Sequence, residues 1–260
     1  MTYKALFLDI DGTILKPDHT YTDLTKEAIM SAKNQGIAVF LATGRPAHEI
    51  ANLAEDLGID SLIGYNGAYA TYRGEILVNE TMKPDIVKRY LQITKEQGNE
   101  MVLYTNKNNL YTTLDHSIVN DFIDLFQLKQ NERFDEKYIN DILSITLLDM
   151  DSVNPKHFNI DSNIHLSPVH LKGAEHSYDV IRKNVNKGEA IKVLLNKLNI
   201  SSNEAIAFGD GMNDKEMLQV VGHGFAMGNA HTDLFEYARY RTTTVHESGI
   251  YNGLRKLGLV

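Results

Sequence analysis

The first 80 residues alternate between strand-like and helix-like patterns, and this alternation limits the possible fold more than any other feature of the chain. Apolar runs at 4–10, 37–44 and 61–65 are separated by amphipathic segments at 22–36 and 45–58. Each amphipathic segment ends in a glycine, which is typical of a helix C-terminus. A strand, helix, strand, helix, strand order predicts a parallel sheet covered by helices on both faces.

The C-terminal part of the chain repeats this alternation. Residues 187–200 carry apolar side chains at helical spacing, and 204–210 reads as a buried strand. A helix at 214–222, a short strand at 224–228 and a last helix within 232–240 complete the pattern, followed by a strand, a loop and a closing helix. We expect these segments to add to the sheet formed by the N-terminal part.

The middle of the chain differs from both ends. Helical patterns at 85–98 and 117–129 accompany strand-like runs at 100–114 and 141–150, the first of them broken by an Asn/Lys turn. Strands paired by turns predict an antiparallel sheet with helices on one face. The predicted fold class is therefore α/β: a doubly wound, Rossmann-like core formed by 1–81 and 186–260, with an inserted α+β cap at 82–185.

Composition excludes several classes of function. The formal net charge of -8 and the lack of an Lys/Arg run argue against a nucleic-acid partner. No segment has the roughly 18 apolar residues of a membrane span, and the N-terminal apolar run is too short for a secretory signal. The chain has no cysteine, which excludes disulfides and thiolate zinc sites. We expect a cytoplasmic protein.

Unusual polar residues cluster at the predicted strand ends, or at the start of the following helix. They are Asp9 and Asp11, Thr43-Gly44-Arg45, Lys187, and Asp210 with Asn213 and Asp214. In an open parallel sheet, ligands bind beyond the carboxyl ends of the strands, so these clusters predict one site. Asp9 and Asp11 are two residues apart at the end of an extended strand, so we expect their carboxylates to face the same side and repel each other unless another group compensates.

The residue types indicate phosphoryl transfer. Four acids in one crevice require a cation, and Mg²⁺ prefers carboxylate and phosphate oxygens. One carboxylate can attack phosphorus, and another two residues later can move the proton of the leaving oxygen. The Thr43 hydroxyl and the Gly44 amide, at the start of the predicted helix, can donate hydrogen bonds to the phosphoryl group, and Lys187 can offset its charge.

Four short segments carry a family resemblance: "DIDGT", "TGR", the lysine of "NKGEA", and "GDGMND". In this order they resemble the motifs of the haloacid dehalogenase-like (HAD) hydrolase superfamily. The large insert, the "YNGA" turn and "AMGNA" are similar to the Cof-type subfamily, class IIB, with a large α/β cap. The resemblance covers essentially the whole chain, although the closing "TTTVHESGIYNGL" departs from the acid-Gly-Val-Ala loop common in the subfamily.

The resemblance implies a role for each motif residue. Asp9 would be the nucleophile and a metal ligand, and Asp11 the general acid/base and a metal ligand through its backbone carbonyl. Asp210 would be the third protein ligand, and Asp214 would support the metal shell. The phosphate-binding residues would be Thr43, Gly44, Lys187 and Asn213.

The sequence thus predicts a Mg²⁺-dependent phosphatase that hydrolyses a phosphomonoester of a small metabolite through an aspartyl-phosphate, with the insert as a substrate lid. The substrate would be a sugar phosphate or a phosphorylated cofactor. A phosphomutase and a non-catalytic phosphate-sensing regulator stay open as alternatives. Arg45 is interpreted as a surface or capping residue. Asn66-Gly67 is interpreted mostly as a structural turn, with the alternative that it also faces the substrate entrance. We expect no nucleic-acid or membrane partner, and a monomer or weak homo-oligomer.

Overall fold

The computed structural model describes residues 2–151, 153–169 and 171–260, which fold into two compact units. The first unit comprises 2–45, Ile50–Val78 and Asn186–Val260, and the second comprises Pro46–Glu49 and Asn79–Val185. The predicted limits of the insert, 82–185, stay a prediction, because compactness alone does not show that a segment folds independently.

The described residues form fourteen strands and seven α-helices. The strands are β1 Ala5–Leu8, β2 Ala38–Ala42, β3 Leu62–Gly64, β4 Tyr69–Tyr72, β5 Glu75–Asn79, β6 Glu100–Tyr104, β7 Asn109–Tyr111, β8 Asn131–Arg133, β9 Ser144–Leu148, β10 Ile164–Pro168, β11 Tyr178–Arg182, β12 Ala205–Gly209, β13 His223–Ala226 and β14 Tyr240–Arg241. The helices are α1 Asp23–Asn34, α2 Ala51–Asp56, α3 Pro84–Gln97, α4 Ser117–Phe126, α5 Lys187–Lys197, α6 Lys215–Val220 and α7 Gly249–Lys256.

An eight-stranded sheet with the order β14-β13-β12-β1-β2-β3-β4-β5 forms the centre of the first unit. Strand β1 pairs in parallel with both β2 and β12, so that Leu8 lies opposite Leu41 on one side and Phe208 on the other. The strands from β14 to β3 are all parallel, whereas β4 runs antiparallel to β3. The predicted doubly wound parallel sheet is confirmed.

The two faces of this sheet are buried in separate cores. In β1, the side chains of Leu6 and Leu8 pack into one core together with residues of α1 and α7. Ala5 and Phe7 point to the other face and pack with residues of α5 and α6. Because successive side chains alternate between faces, a fully apolar strand such as β1 is what a sheet covered on both sides requires.

Two predicted helices are shorter than expected. The segment at 45–58 starts with a 3₁₀ turn, Ala47–Ile50, and continues as α2 only to Asp56. The segment at 232–240 has only a 3₁₀ helix, Thr232–Glu236, because Tyr240 must be extended to pair with Phe225 in the sheet. None of the helices in the described part of the chain has the length and apolar character that crossing a bilayer would need.

The second unit is built on a six-stranded sheet with the order β10-β11-β9-β6-β7-β8. Neighbouring strands are antiparallel except β7 and β8, which are parallel. Helix α3 is followed by Gly98 in a left-handed conformation (φ 74°), and it buries Val87, Tyr90 and Ile93 against apolar residues of the sheet. The predicted α+β character of the insert is confirmed, with β8 as an additional parallel strand.

Candidate active site

The predicted site residues that follow strands leave the sheet side by side in the first unit. Asp9 follows β1 and Asp210 follows β12, and the Asp9 N–H donates to the carbonyl of Phe208 at 3.0 Å. Thr43 follows β2, and its N–H donates to the carbonyl of Ile63 at 2.8 Å. The parallel register therefore sets the acids and the threonine at one edge of the sheet.

Three carboxylates meet at this edge. One oxygen from each of Asp9, Asp210 and Asp214 lies within 4.8 Å of the others, and Asp9 and Asp214 are buried. Asp214 sits in the 3₁₀ turn Met212–Asp214 just after β12, which brings its side chain back toward the strand end. Its Oδ2 accepts the backbone N–H groups of Asp210 and Gly211, both at 3.0 Å, so the loop after β12 is folded around this carboxylate.

Lys187 joins two of these acids. It is the first residue of α5 and is fully buried, and its Nζ lies 2.6 Å from Asp9 Oδ1 and 2.6 Å from Asp214 Oδ1. Burial lowers the pKa of the Lys187 ammonium, but the charges of Asp214 and Asp9 outweigh burial and raise that pKa overall. The lysine is thus held in its charged form inside the protein.

The remaining negative charge suits a divalent cation. Burial and then the Asp214 carboxylate raise the pKa of Asp9 well above its ordinary value, even though Lys187 acts in the opposite direction. Burial and Asp214 also raise the pKa of Asp210 to about 6. Three carboxylates against one ammonium leave excess negative charge, and a hard cation with oxygen ligands such as Mg²⁺ fits this donor set.

Asp11 and Asp9 have different charged partners. Strand β1 ends at Leu8, so the alternation of an extended strand no longer holds at Asp11. The Asp11 carboxylate is half exposed and forms a two-point ion pair with Arg45, with Nε–Oδ2 at 2.8 Å and Nη2–Oδ1 at 2.6 Å. The expected repulsion between the two acids is therefore relieved by separate partners, Lys187 for Asp9 and Arg45 for Asp11.

The structure also corrects the expected surroundings of Gly44. The first helical residue after β2 is Ala47, so the Gly44 amide is not at a helix N-terminus as predicted. The preceding Thr43 is 2 % exposed, and its Oγ1 accepts the N–H of Arg45 at 3.1 Å. This hydrogen bond between the Thr43 side chain and the Arg45 backbone stabilises a turn at Thr43–Arg45, before any helix begins.

Comparison with known proteins identifies the family. The model of the haloacid dehalogenase-like hydrolase family matches residues 6–254. The chain belongs to this family.

The phosphatase YwpJ of Bacillus subtilis is 30% identical over 98% of this chain and 99% of its own length. Among solved structures, a hypothetical protein from Geobacillus kaustophilus is 29% identical with a TM-score of 0.91, covering 99% of this chain and 100% of its own. The HAD subclass IIB sugar phosphatase BT4131 is 26% identical with a TM-score of 0.82, covering 99% and 100%.

These likenesses confirm the predicted HAD superfamily, Cof-type membership and the enzyme class. This haloacid dehalogenase-like hydrolase is a phosphatase. Its four motif segments contain Asp9, Thr43, Lys187, and Asp210 with Asp214.

Two residues that hold Asp210 in this HAD-like hydrolase were not predicted. The Thr13 hydroxyl donates to Asp210 Oδ1 at 3.1 Å. The Asn229 amide donates to the Gly12 carbonyl at 2.8 Å and to Asp210 Oδ2 at 3.4 Å, while its own Oδ1 accepts the Val245 N–H at 2.8 Å. An asparagine after a glycine ordinarily predicts a turn. The only further signal for Asn229 is its place in "AMGNA", one of the segments that carry the family resemblance.

Proposed function

We propose that the protein is a Mg²⁺-dependent phosphatase that hydrolyses a small phosphomonoester through an aspartyl-phosphate on Asp9. The main support is the fully buried Lys187, whose ammonium bridges Asp9 and Asp214 beside Asp210. Burying a lysine and three carboxylates carries a large desolvation penalty. Apolar side chains of similar size often stabilise a fold equally well, so stability alone does not explain this cluster. The cluster is better explained by catalysis.

Asp9 and Asp210 are proposed as direct metal ligands, together with the backbone carbonyl of Asp11. Asp214 is proposed to support the metal shell indirectly and not as a direct ligand. Its oxygens already accept hydrogen bonds from Lys187 and from two backbone N–H groups. A bound Mg²⁺ would neutralise the acids and the phosphate oxygens and so allow two negatively charged groups to approach each other.

In the first step, a carboxylate oxygen of Asp9 forms a bond to phosphorus while the bond from phosphorus to the ester oxygen breaks. Asp11, in its protonated form, gives its proton to that departing oxygen, so that an alcohol leaves. Lys187 holds the Asp9 carboxylate in place from one side and adds positive charge near the transferring group. Thr43, the Gly44 amide and Asn213 are proposed to bind its oxygens.

In the second step, Asp11 is a carboxylate and accepts a proton from water. The water oxygen bonds to phosphorus, the acyl-phosphate bond breaks, and Asp9 is regenerated with release of orthophosphate. Arg45 is proposed to keep the Asp11 carboxylate in one orientation between the two steps.

The substrate is proposed to be a small phosphorylated metabolite, either a sugar phosphate or a phosphorylated cofactor. The likeness to a protein described as a sugar phosphatase supports the first of these. The lid role of the insert, the cytoplasmic location, the oligomeric state and the absence of nucleic-acid partners stay predictions.

The proposal is tested with p-nitrophenyl phosphate and a panel of phosphorylated metabolites. We expect orthophosphate release that stops with EDTA and returns with Mg²⁺. Asp9→Asn should lower turnover by at least about a thousandfold, whereas Asp23→Asn, on the exposed first turn of α1, should be neutral. Substantial activity of Asp9→Asn would contradict the nucleophile, and activity indifferent to EDTA would contradict the metal.

The same assay separates the alternatives. A phosphomutase would yield an isomerised phosphate ester instead of free orthophosphate. A regulator without catalysis would bind phosphate esters and hydrolyse none of the panel.

A further inference from the structure

The turn Tyr65–Gly67 has an uncommon backbone conformation. Tyr65 (φ 52°), Asn66 (φ 52°) and Gly67 (φ 104°) are all left-handed in succession. Glycine adopts this region freely, whereas the Cβ atoms of Tyr65 and Asn66 make it less favourable for those two residues. Such conformations persist where the surrounding structure enforces them, and they concentrate at functional sites.

Backbone contacts hold this turn against two of the motif segments. The Tyr65 N–H donates to the carbonyl of Arg45 at 3.2 Å, and the Asn66 N–H donates to the carbonyl of Thr43 at 3.0 Å. On the opposite side, a Cβ on Gly67 would clash with the carbonyl oxygen of Asn186, the residue before the buried lysine. The turn therefore packs between the end of β2 and the start of α5.

The side chain of Asn66 contacts the third motif segment. Its Oδ1 accepts a hydrogen bond from Asn213 Nδ2 at 3.1 Å. Its amide also lies over Gly44, where an added Cβ would be 3.1 Å from both the oxygen and the nitrogen of the carboxamide. One carboxamide thus lies against two of the groups that are proposed to bind phosphate.

We propose that Asn66 is a positioning residue for phosphate binding, which acts by orienting the Asn213 amide and by fixing the backbone at Gly44. This inference rests on the proposed function. Asn66 takes one hydrogen of the Asn213 amide, which fixes the rotation of that group and directs its remaining N–H. Asparagine tolerates the left-handed backbone at 66, and the evidence for a role of its carboxamide is the contact with Asn213 and Gly44.

The variant Asn66→Gly separates side chain from backbone, because it removes the carboxamide and leaves the left-handed turn unstrained. Asn199→Gly is the matched control, since Asn199 has the same φ of 52° and is exposed at the end of α5. We expect both variants to melt close to the wild-type temperature. Only Asn66→Gly should weaken inhibition by orthophosphate and orthovanadate, by roughly 3- to 10-fold, the effect of one hydrogen bond.

A double-mutant cycle tests the route through Asn213. Asn213→Ala should weaken orthophosphate binding, and adding Asn66→Gly to it should produce clearly less than the product of the two single effects. The inference would be overturned if the loss of orthophosphate binding in the double variant equalled the product of the two single losses. It would also be overturned if orthophosphate inhibited Asn66→Gly as strongly as it inhibits wild type. If wild type neither hydrolyses phosphate esters nor binds orthophosphate, the proposed function itself fails.

A second substitution keeps the test decisive if Asn66→Gly does not fold. Asn66→Asp also tolerates a left-handed backbone and keeps an acceptor for Asn213, but it adds negative charge beside Gly44. Its inhibition by orthophosphate should be weaker than that of wild type and should recover partly at high salt. Unchanged inhibition would show that position 66 does not adjoin the phosphate and would overturn the inference.

Discussion

Arg45 and Asp11 form a two-point ion pair, with Nε–Oδ2 at 2.8 Å and Nη2–Oδ1 at 2.6 Å, across two motif segments that are more than 30 residues apart in the chain. Both side chains are partly exposed, at 38% and 52%, so the pair adds little to stability. Its planar geometry instead fixes the orientation of the Asp11 carboxylate. Arg45 is partly exposed, as predicted for a surface residue, and we propose that it also orients Asp11 for proton transfer.

Arg45→Ala should therefore reduce kcat more than it raises KM. The loss should be larger for alkyl phosphates than for p-nitrophenyl phosphate, because a poor leaving group needs the proton from Asp11 more. Arg45→Lys, which supplies charge without the two-point geometry, should recover only part of the activity. Steady-state kinetics on the two substrate classes provides the measurement, and an equal loss on both would argue against this role.

Lys187→Met should destabilise the fold. Removing the ammonium leaves Asp9 and Asp214 buried without a cation, which costs about 3–5 kcal/mol of unfolding free energy near neutral pH. Lys192→Met is the matched control on the same helix, since its ion pair with Glu189 is exposed and should contribute less than about 1 kcal/mol. Urea unfolding of both variants in EDTA gives the comparison, and similar losses in both would rule out a special role for the buried pair.

Asp210→Asn should stabilise the metal-free protein at neutral pH. The pKa of Asp210 in the folded state is about 6, above its ordinary value, so the folded state binds this proton more tightly than the unfolded state. The resulting stability is fully present below pH 3.8 and is lost as pH rises to about 6. In EDTA, the melting temperature of the variant should exceed that of wild type at pH 7.5 but not at pH 4; a difference independent of pH would contradict this.

Asn229→Ala should weaken Mg²⁺ binding by about tenfold, because a partner that orients a ligand contributes to metal affinity. Asn252→Ala is the control, since Asn252 in α7 donates to Thr243 and Glu247, in the loop 242–248 that also contacts Asn229 through Val245, and neither of these two bonds involves Asp210. Calorimetric titration with Mg²⁺ reads out affinity without turnover. Equal weakening in both variants would assign the effect to the loop instead of to the Asn229 amide.

The sheet and the motif residues could be predicted because both depend on local patterns. Buried parallel strands are continuously apolar, and polar residues directly after them must meet at one edge. From the sequence alone, this reasoning predicts Asp9, Thr43 and Asp210 at neighbouring strand ends, and β1 does pair with both β2 and β12.

The contacts between segments could not be predicted in the same way. Arg45 resembles a solvent-exposed residue in sequence, and its partner Asp11 becomes evident only once β1 is seen to end at Leu8. Asn66 and Asn229 occur in ordinary turn sequences, and the hydrogen-bond partners of their side chains lie in segments far away along the chain. Side-chain hydrogen bonds between distant segments leave no periodic signal in a sequence.

The pairing of β1 with β12 has a consequence for synthesis of the protein. Ala5 lies opposite Ala205, so the strand that precedes Asp9, the proposed nucleophile, gains its second neighbour only after about 200 further residues have been added. Strand β2 can pair with β1 early, yet Lys187, Asp210 and Asp214 are still missing from the nascent chain. A ribosome that stalls within the insert therefore releases a chain without a functional site, however well its N-terminal strands have folded.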